Sequence, residues 1–115
     1  SEIEKIIKVS KYALINKFIK NTKNKYETSI LYNARNISGG QKQRLGIARG
    51  LYKTSEIYIF DESTNAIDKS TETKIINNII KNYSNKILIF ISNKNLNKKF
   101  FNKRYELKNK RLIRI

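Results

Sequence analysis

The chain has 115 residues, which corresponds to one domain or part of one. It contains no Cys and no His, which excludes disulfides and the usual zinc sites. The formal net charge is +16 at pH 7, but the Lys residues are scattered over the whole length rather than clustered, so we expect no specific nucleic-acid surface.

The first residues have the hydrophobic spacing of an amphipathic helix. Residues 2–20 place several apolar side chains on one helical stripe, while the Lys residues fall away from it. The polar run 21–29 then predicts a loop that leads to a short apolar segment at Ile30 and Leu31. The predicted stripe consists of Ile3, Ile7, Leu14 and Phe18.

A Ser-Gly-Gly sequence precedes a second predicted helix, which runs from about Gln41 to Tyr52 and buries Leu45, Ala48 and Leu51. Ser38 is expected to cap this helix, and Gln41, three residues later, completes a capping box. Gly39 and Gly40 lack side chains and leave the helix start open to a ligand. Because a helix start carries partial positive charge and free N–H groups, phosphate is the expected ligand. An ordinary capped helix after a tight turn is the alternative, and Ser-Gly-Gly alone favours it.

Two short apolar runs, at 57–62 and 86–92, predict strands that are buried on both faces. A helix is predicted between them, over about 70–83. Strand, helix and strand at this spacing indicate a right-handed parallel unit whose strands are adjacent or nearly so. Alternating residues on either side of Asn109 and Lys110 predict a closing hairpin. The helix is expected to bury Ile75, Ile76, Ile79, Ile80 and Tyr83.

Two acidic residues, Asp61 and Glu62, end the first predicted strand, at the edge of a parallel sheet where such folds bind ligands. Neighbouring side chains on a strand point to opposite faces, so the two are expected to have different roles. Asp61 is suited to hold a hydrated Mg²⁺ ion, and Glu62 to orient and polarise an attacking water. A pair of solvated acids at a strand exit is the alternative.

Taken in order, four segments of the sequence resemble the second half of an ATP-binding cassette (ABC) ATPase. They are "ISGGQ" (37–41), similar to the family signature, "IYIFDE" (57–62), similar to its Walker B strand, "STNAID" (63–68), similar to the D-loop, and "ILIFISN" (87–93), similar to the strand before the switch loop. The resemblance implies an α/β fold with a P-loop NTPase-like parallel sheet. Residues 1–50 would form the helical, signature-bearing subdomain, and residues 51–115 the Walker B, D-loop and switch-loop part of the core.

The family resemblance also implies the cofactors, the partners and the site. Two nucleotide-binding domains pair head to tail, so that the signature of one faces the γ-phosphate of the ATP held by the other. The transmembrane domain of a transporter is the further partner, at the cytoplasmic face of the cell membrane. The implied roles are partner-nucleotide contact for Ser38, Gly39, Gly40 and Gln41, Mg²⁺ binding for Asp61, general-base catalysis for Glu62 and a contact across the dimer for Asp68.

Three departures from the family pattern stand out. No stretch reads G-x-x-x-x-G-K-[ST], the pattern of the Walker A loop, so we expect the amino-terminal half of the cassette to be missing here. One face or edge of the sheet should then be bare. The isolated chain should bind ATP weakly or not at all. Asn93 stands where the family usually has the switch-loop His, and it cannot carry a proton. Tyr32 stands where exporters often have an acidic residue.

These departures leave three readings open. The first is part of an exporter-like transport ATPase, the second is a degenerate or remnant cassette without activity, and the third is a non-transport ABC ATPase of the DNA-repair or ribosome-associated kind. Gln41 favours transport, because the non-transport relatives more often carry an acidic residue at that signature position.

Overall fold

A computed structural model of the chain describes residues 1–29 and 36–115. The segment predicted at Ile30 and Leu31, and Tyr32, lie outside the described residues. None of the helices in the described part is long and apolar enough to span a membrane. Short 3₁₀ helices occur at Lys25–Glu27 and Lys98–Phe100. In chain order the main elements are α1 (Glu2–Tyr12), α2 (Asn16–Lys20), α3 (Gly39–Tyr52), β1 (Ile57–Asp61), α4 (Lys69–Asn82), β2 (Ile87–Ile91), β3 (Tyr105–Lys108) and β4 (Arg111–Arg114).

The prediction of a single helix over residues 2–20 is wrong, because α1 ends at Tyr12 and a separate helix, α2, begins at Asn16. Leu14 has a left-handed backbone (φ 54°). The N–H of Ile15 donates to the Ser10 carbonyl at 2.9 Å, and that of Leu14 to the Lys11 carbonyl at 3.1 Å. These two bonds form a Schellman motif, which usually places Gly at the left-handed position. The turn buries Ala13 and Ile15 in place of the predicted stripe, whose first member Ile3 is 49% exposed.

Helix α3 confirms the second predicted helix and begins at the glycine pair. Ala48 and Leu51 are buried as expected, together with Ile47, whereas Leu45 is half-buried. The face that carries these residues packs against α1 and β1. Helix α3 therefore connects the amino-terminal helices to the sheet.

Strands β1 and β2 pair in parallel, with Ile57 opposite Ile87 and Asp61 opposite Ile91. This pairing confirms the predicted adjacency of the two strands and the α/β fold class. Helix α4 lies between them in sequence, as predicted, and buries Ile75, Ile76 and Ile79. Ile80 and Tyr83 are only half-buried.

In the described part of the chain the sheet is buried on one face only, so the prediction of strands covered on both faces is wrong. Tyr58 and Phe60 point into the core, at 7% and 6% exposure. The alternate side chains form what we call the bare face, which also includes Asp61 by strand alternation. The expectation of a bare sheet face is thus confirmed. Its apolar members are 42–62% exposed and are Ile57, Ile59, Ile87, Ile89 and Ile91.

One hydrophobic cluster of described residues joins the amino-terminal helices, α3, β1 and α4. The predicted closing hairpin is also confirmed: β3 and β4 pair antiparallel across Asn109 and Lys110, which have φ values of 49° and 64°. Two consecutive positive φ angles define a type I′ turn, which matches the twist of a two-residue hairpin. The buried members of the cluster are Val9, Ala13, Ile15, Ile47, Ala48, Leu51, Tyr58, Phe60, Ile67, Ile75 and Ile79.

Candidate functional site

The start of α3 has the capping box that the sequence predicts. The Ser38 hydroxyl accepts a hydrogen bond from the Gln41 N–H at 3.1 Å, and the Gln41 side chain accepts one from the Ser38 N–H at 2.9 Å. Gly39 and Gly40 are the first two residues of the helix, where N–H groups have no intrahelical acceptor. The helix start therefore combines a fixed backbone with free donors and partial positive charge.

The glycine pair also has a packing role within the chain. A Cβ atom on Gly40 would lie 3.0 Å from the carbonyl oxygen of Ala66, and one on Gly39 would lie 3.5 Å from the Ala66 Cβ. Only the first distance is tight enough to require a shift of the backbone. Gly40 therefore favours the close approach of the loop 62–68, in addition to any access that it gives to a ligand.

Gln43, one turn into α3, connects that helix to the same loop. Its Oε1 accepts a hydrogen bond from the Ala66 N–H at 2.8 Å, and its Nε2 donates to the Glu62 carbonyl at 3.4 Å. Nothing in the periodicity of the sequence singles out Gln43, because a half-buried polar residue in a helix is ordinary. Its role becomes visible only when the loop is placed beside the helix.

Glu62 directly follows β1 and has a left-handed backbone, with φ 50°. Its N–H donates to the Ile91 carbonyl at 2.8 Å, which extends the pairing of the two strands by one bond. Its Oε2 accepts a hydrogen bond from the Asn65 amide at 3.3 Å, and its side chain is exposed. A non-glycine residue at positive φ is uncommon, and such residues cluster at functional sites.

Asp61 and Asn93 lie at the same edge of the sheet as Glu62. Asp61 ends β1 opposite Ile91, and Asn93 follows β2 by two residues, with both side chains exposed. The described residues contain no group of three or more side chains that could hold a metal by themselves. A single carboxylate at a strand end nevertheless fits Mg²⁺, which binds through one or two carboxylates together with waters and substrate phosphates.

Asp68 has a structural role that the sequence pattern did not suggest. It is the N-cap of α4, and its Oδ2 accepts a hydrogen bond from the Thr71 N–H at 3.0 Å. Hydrogen bonds from the Thr71 backbone and side chain lower the pKa of Asp68 below its ordinary value of 3.8. The carboxylate is therefore fixed and ionised at the exposed end of the loop 62–68.

A buried ion pair fixes the other side of this loop. Nζ of Lys94, the residue after Asn93, lies 3.1 Å from Oε2 of Glu72 and donates to the Thr64 carbonyl at 2.8 Å. Glu72 is 3% exposed, so its charge depends on Lys94 for compensation. The structure thus joins the end of β2, the loop and the first turn of α4.

The structure brings together most of the residues predicted for the site. Gly40 and Gln43 place the signature segment Ser38–Gln41 against the loop 62–68, and the parallel pairing places Asp61, Glu62 and Asn93 at one sheet edge. Asp68 lies at the far end of the loop, as the N-cap of α4.

Comparison with known proteins gives a consistent result. The sequence model described as ABC transporter matches residues 4–65, more than half of the chain, and so includes the signature, Asp61 and Glu62. Over 94 residues the chain is 38% identical to multidrug resistance protein 1 of Plasmodium falciparum. This alignment covers 80% of the chain and 7% of the relative. Over 91 residues it is 41% identical to the lactococcin-G-processing and transport ATP-binding protein LagD of Lactococcus lactis. This alignment covers 79% of the chain and 13% of the relative.

A solved structure shares the fold. It is that of a bacterial Atm1-family ABC exporter with ATP bound, which superposes with a TM-score of 0.75 at 34% identity. The match covers 79% of this chain and 16% of the exporter chain. The chain therefore spans only a small part of the length of the proteins it matches. The family match, the relatives named as ATP-binding transport proteins and the shared fold lead to one conclusion: the chain belongs to the ABC transporter family and corresponds to part of its ATP-binding cassette.

Proposed function

We propose that this chain supplies the signature, Walker B, D-loop and switch-loop part of the ATP-binding cassette of an exporter. The observation that carries the proposal is the contact between the start of α3 and the loop that follows Glu62, through Gly40 and Gln43. An ordinary capped helix needs no such contact, whereas a signature helix and a hydrolysis edge that act in one paired assembly need fixed relative positions.

In the proposed assembly the signature acts on a nucleotide held by a partner cassette. The N–H groups of Gly39 and Gly40 and the amino end of α3 would contact the γ-phosphate across a head-to-tail interface, together with Ser38 and Gln41. Asp68, which is exposed and ionised, would contact the partner at the same interface. The signature would thus complete the pocket of the other subunit rather than its own.

The carboxyl edge of the sheet is proposed to act on the nucleotide of this subunit. Glu62 would accept a proton from the attacking water as general base, and Asn93 would donate a hydrogen bond to the γ-phosphate. Asp61 would hold Mg²⁺ through water, and when bound this ion would neutralise charge on the phosphates and orient them. Asn93 cannot take up a proton as a His would, so we expect slower turnover than in a cassette with the switch-loop His.

The bare face fits a domain arrangement in which residues 1–50 form the helical, signature-bearing part and residues 51–115 form part of the core. Five isoleucines that are 42–62% exposed form an apolar patch, and exposed apolar patches mark surfaces that are covered by another protein element. We propose that the Walker A half of a cassette covers them, in a transporter that places the cassette at the cytoplasmic face of a membrane beside its transmembrane domain. Ile59→Cys tests this, since a covering domain should protect the new thiol from alkylation.

The proposed chemistry is tested by Glu62→Gln in the complete paired cassette. We expect hydrolysis to fall about 10²- to 10⁴-fold, as for loss of a general base, while ATP stays trapped between the paired domains. Glu106→Gln is the matched control, because Glu106 is an exposed carboxylate on β3, away from the sheet edge. Hydrolysis at an unchanged rate in Glu62→Gln would show that the base is misassigned.

The division of the site between two subunits has a separate test on this chain alone. Because the sequence has no Walker A loop, we expect calorimetry with ATP and Mg²⁺ to give only weak binding or none. A dissociation constant of about 1 μM for ATP would contradict the proposal that the main phosphate-binding contacts come from a Walker A loop outside this sequence.

A further inference from the structure

We infer that Gln43 is a positioning residue that fixes the backbone of Glu62 in the same chain, although it lies on the signature helix that faces the partner. The inference rests on the proposed function. It assigns to one helix two tasks on two different nucleotides: the first turn of α3 faces the partner's nucleotide, and Gln43 serves the hydrolysis site of its own subunit.

The geometry of the Gln43 side chain supports this assignment. The Oε1 atom accepts from the Ala66 N–H at 2.8 Å, while the Nε2 atom donates to the Glu62 carbonyl at 3.4 Å. One amide therefore contacts both ends of the segment 62–66, and the shorter bond is to Ala66. Gly40 leaves room for the same segment beside the helix, because a Cβ atom there would lie 3.0 Å from the Ala66 carbonyl oxygen.

Glu62 needs such external support because its backbone is unfavourable. A residue with a Cβ atom is disfavoured in a left-handed conformation, and such a conformation persists only when the surroundings enforce it. The Ile91 carbonyl holds the N–H of Glu62 at 2.8 Å, and Gln43 holds its carbonyl. The direction in which the Glu62 side chain leaves the backbone is thus set from both sides.

Asn65 extends the same arrangement to the carboxylate. Its amide donates to Oε2 of Glu62 at 3.3 Å, and it is the residue before Ala66. Anchoring Ala66 to Gln43 therefore also limits the movement of the group that orients the carboxylate. A general base depends on such orientation, since a shift of about 1 Å can lower the rate about 10²-fold.

The first test uses this 115-residue chain and measures amide exchange by NMR. Gln43→Met removes both hydrogen bonds at similar size, and we expect the Ala66 amide to exchange about tenfold faster, as for loss of one hydrogen bond. Gln43→Glu keeps an acceptor for Ala66 and should leave its exchange within about twofold of the native rate. Lys42→Met, at an exposed neighbouring position, is the matched control. Unchanged Ala66 exchange in Gln43→Met would overturn the inference.

The second test uses mixed pairs of complete cassettes in which one subunit carries Glu62→Gln, so that a single base remains. Gln43→Met in the subunit with the intact Glu62 should lower kcat about tenfold with little change in the KM for ATP. The same substitution in the other subunit should lower kcat less than about twofold. Equal effects in both placements, or no effect beside the intact base, would overturn the inference.

Ser38→Ala in the same mixed pairs separates the inference from the proposed function. If the signature acts across the interface, Ser38→Ala should lower the rate only when it lies in the subunit opposite the intact base. If Ser38→Ala behaves in this way but Gln43→Met has no effect on kcat, the positioning role of Gln43 is refuted and the proposed function is retained. If Ser38→Ala acts only beside the intact base, the head-to-tail site itself is refuted, and the inference falls with it.

Discussion

Replacing Lys94 by Met removes the charge that compensates the carboxylate of Glu72. Glu72 is 3% exposed, and its Oε2 lies 3.1 Å from Nζ of Lys94, which also donates to the Thr64 carbonyl at 2.8 Å. The substitution therefore leaves a buried carboxyl group without its cationic partner and removes the donor of the Thr64 carbonyl. We expect a large loss of stability, in contrast to the small effect of most surface charges.

The structure sets the size of this loss. Two unit charges 3.1 Å apart attract by about 5 kcal/mol at an effective dielectric constant of about 20. The side chain of Lys94 is 34% exposed, so solvent screening reduces this value. We expect Lys94→Met to lower the free energy of unfolding by about 3 kcal/mol, at the lower end of the range for a broken buried pair. Glu72→Gln keeps an acceptor for Lys94 and should lower it by only about 1–2 kcal/mol.

A double-mutant cycle measured by urea unfolding tests this reasoning. The chain offers a matched control in Lys86 and Glu56, whose charged atoms are also 3.1 Å apart but whose carboxylate is 85% exposed. We expect a coupling energy of about 2 kcal/mol for the buried pair and below about 1 kcal/mol for the exposed one. Equal coupling energies in the two cycles would refute the argument, because distance and not burial would then decide the energy.

Three further predictions concern the N-cap of α4, the hairpin turn and two glycines of α3. Hydrogen bonding lowers the pKa of Asp68, so the stability that its carboxylate contributes is complete above the ordinary value of 3.8. This contribution is lost as the pH falls through the lower pKa of the folded state. Thermal unfolding should therefore show a smaller loss of stability between pH 7 and about pH 2.5 for Asp68→Asn than for the native chain. Lys110→Gly, at φ 64° in the hairpin turn, should raise the free energy of unfolding by about 0.5–1 kcal/mol in urea unfolding. Gly46→Ala should add about 0.5–1 kcal/mol to the free energy of unfolding, because the new Cβ atom has no neighbour within 4 Å. Gly40→Ala should lower the free energy of unfolding, because its Cβ atom would lie 3.0 Å from the Ala66 carbonyl oxygen. Calorimetric melting of the two variants should therefore give changes of opposite sign.

The sequence predicts well those features that depend on neighbouring residues. The capping box of α3 needs only Ser38 and Gln41 at the right spacing, and the hairpin needs only alternation on either side of a two-residue turn. The parallel pairing of β1 and β2 follows from their separation by one helix. The edge that carries Asp61, Glu62 and Asn93 could therefore be located before the structure was known.

The features that the sequence did not predict depend on long-range packing. Leu14 and Glu62 have left-handed backbones, although neither is the Gly or Asn that would signal this, so the sequence does not indicate the break after α1 or the turn after β1. The apolar run of β1 indicates burial on both faces, but the described residues cover only one. Gln43 was missed because its partners, Glu62 and Ala66, are about 20 residues away along the chain.

The loop 62–68 is fixed on two sides by contacts within this chain. Gln43 and Gly40 hold it from α3, and Lys94 holds it from the segment after β2. The bare face, by contrast, has no such support from residues 1–29 and 36–115, and Asp61 lies on it. The orientation of Glu62 is therefore largely built by these residues alone, whereas the environment of Asp61 depends on what covers the sheet. If so, covering the bare face should change the chemical shifts around Asp61 far more than those of Ala66, because the Ala66 contact is complete beforehand.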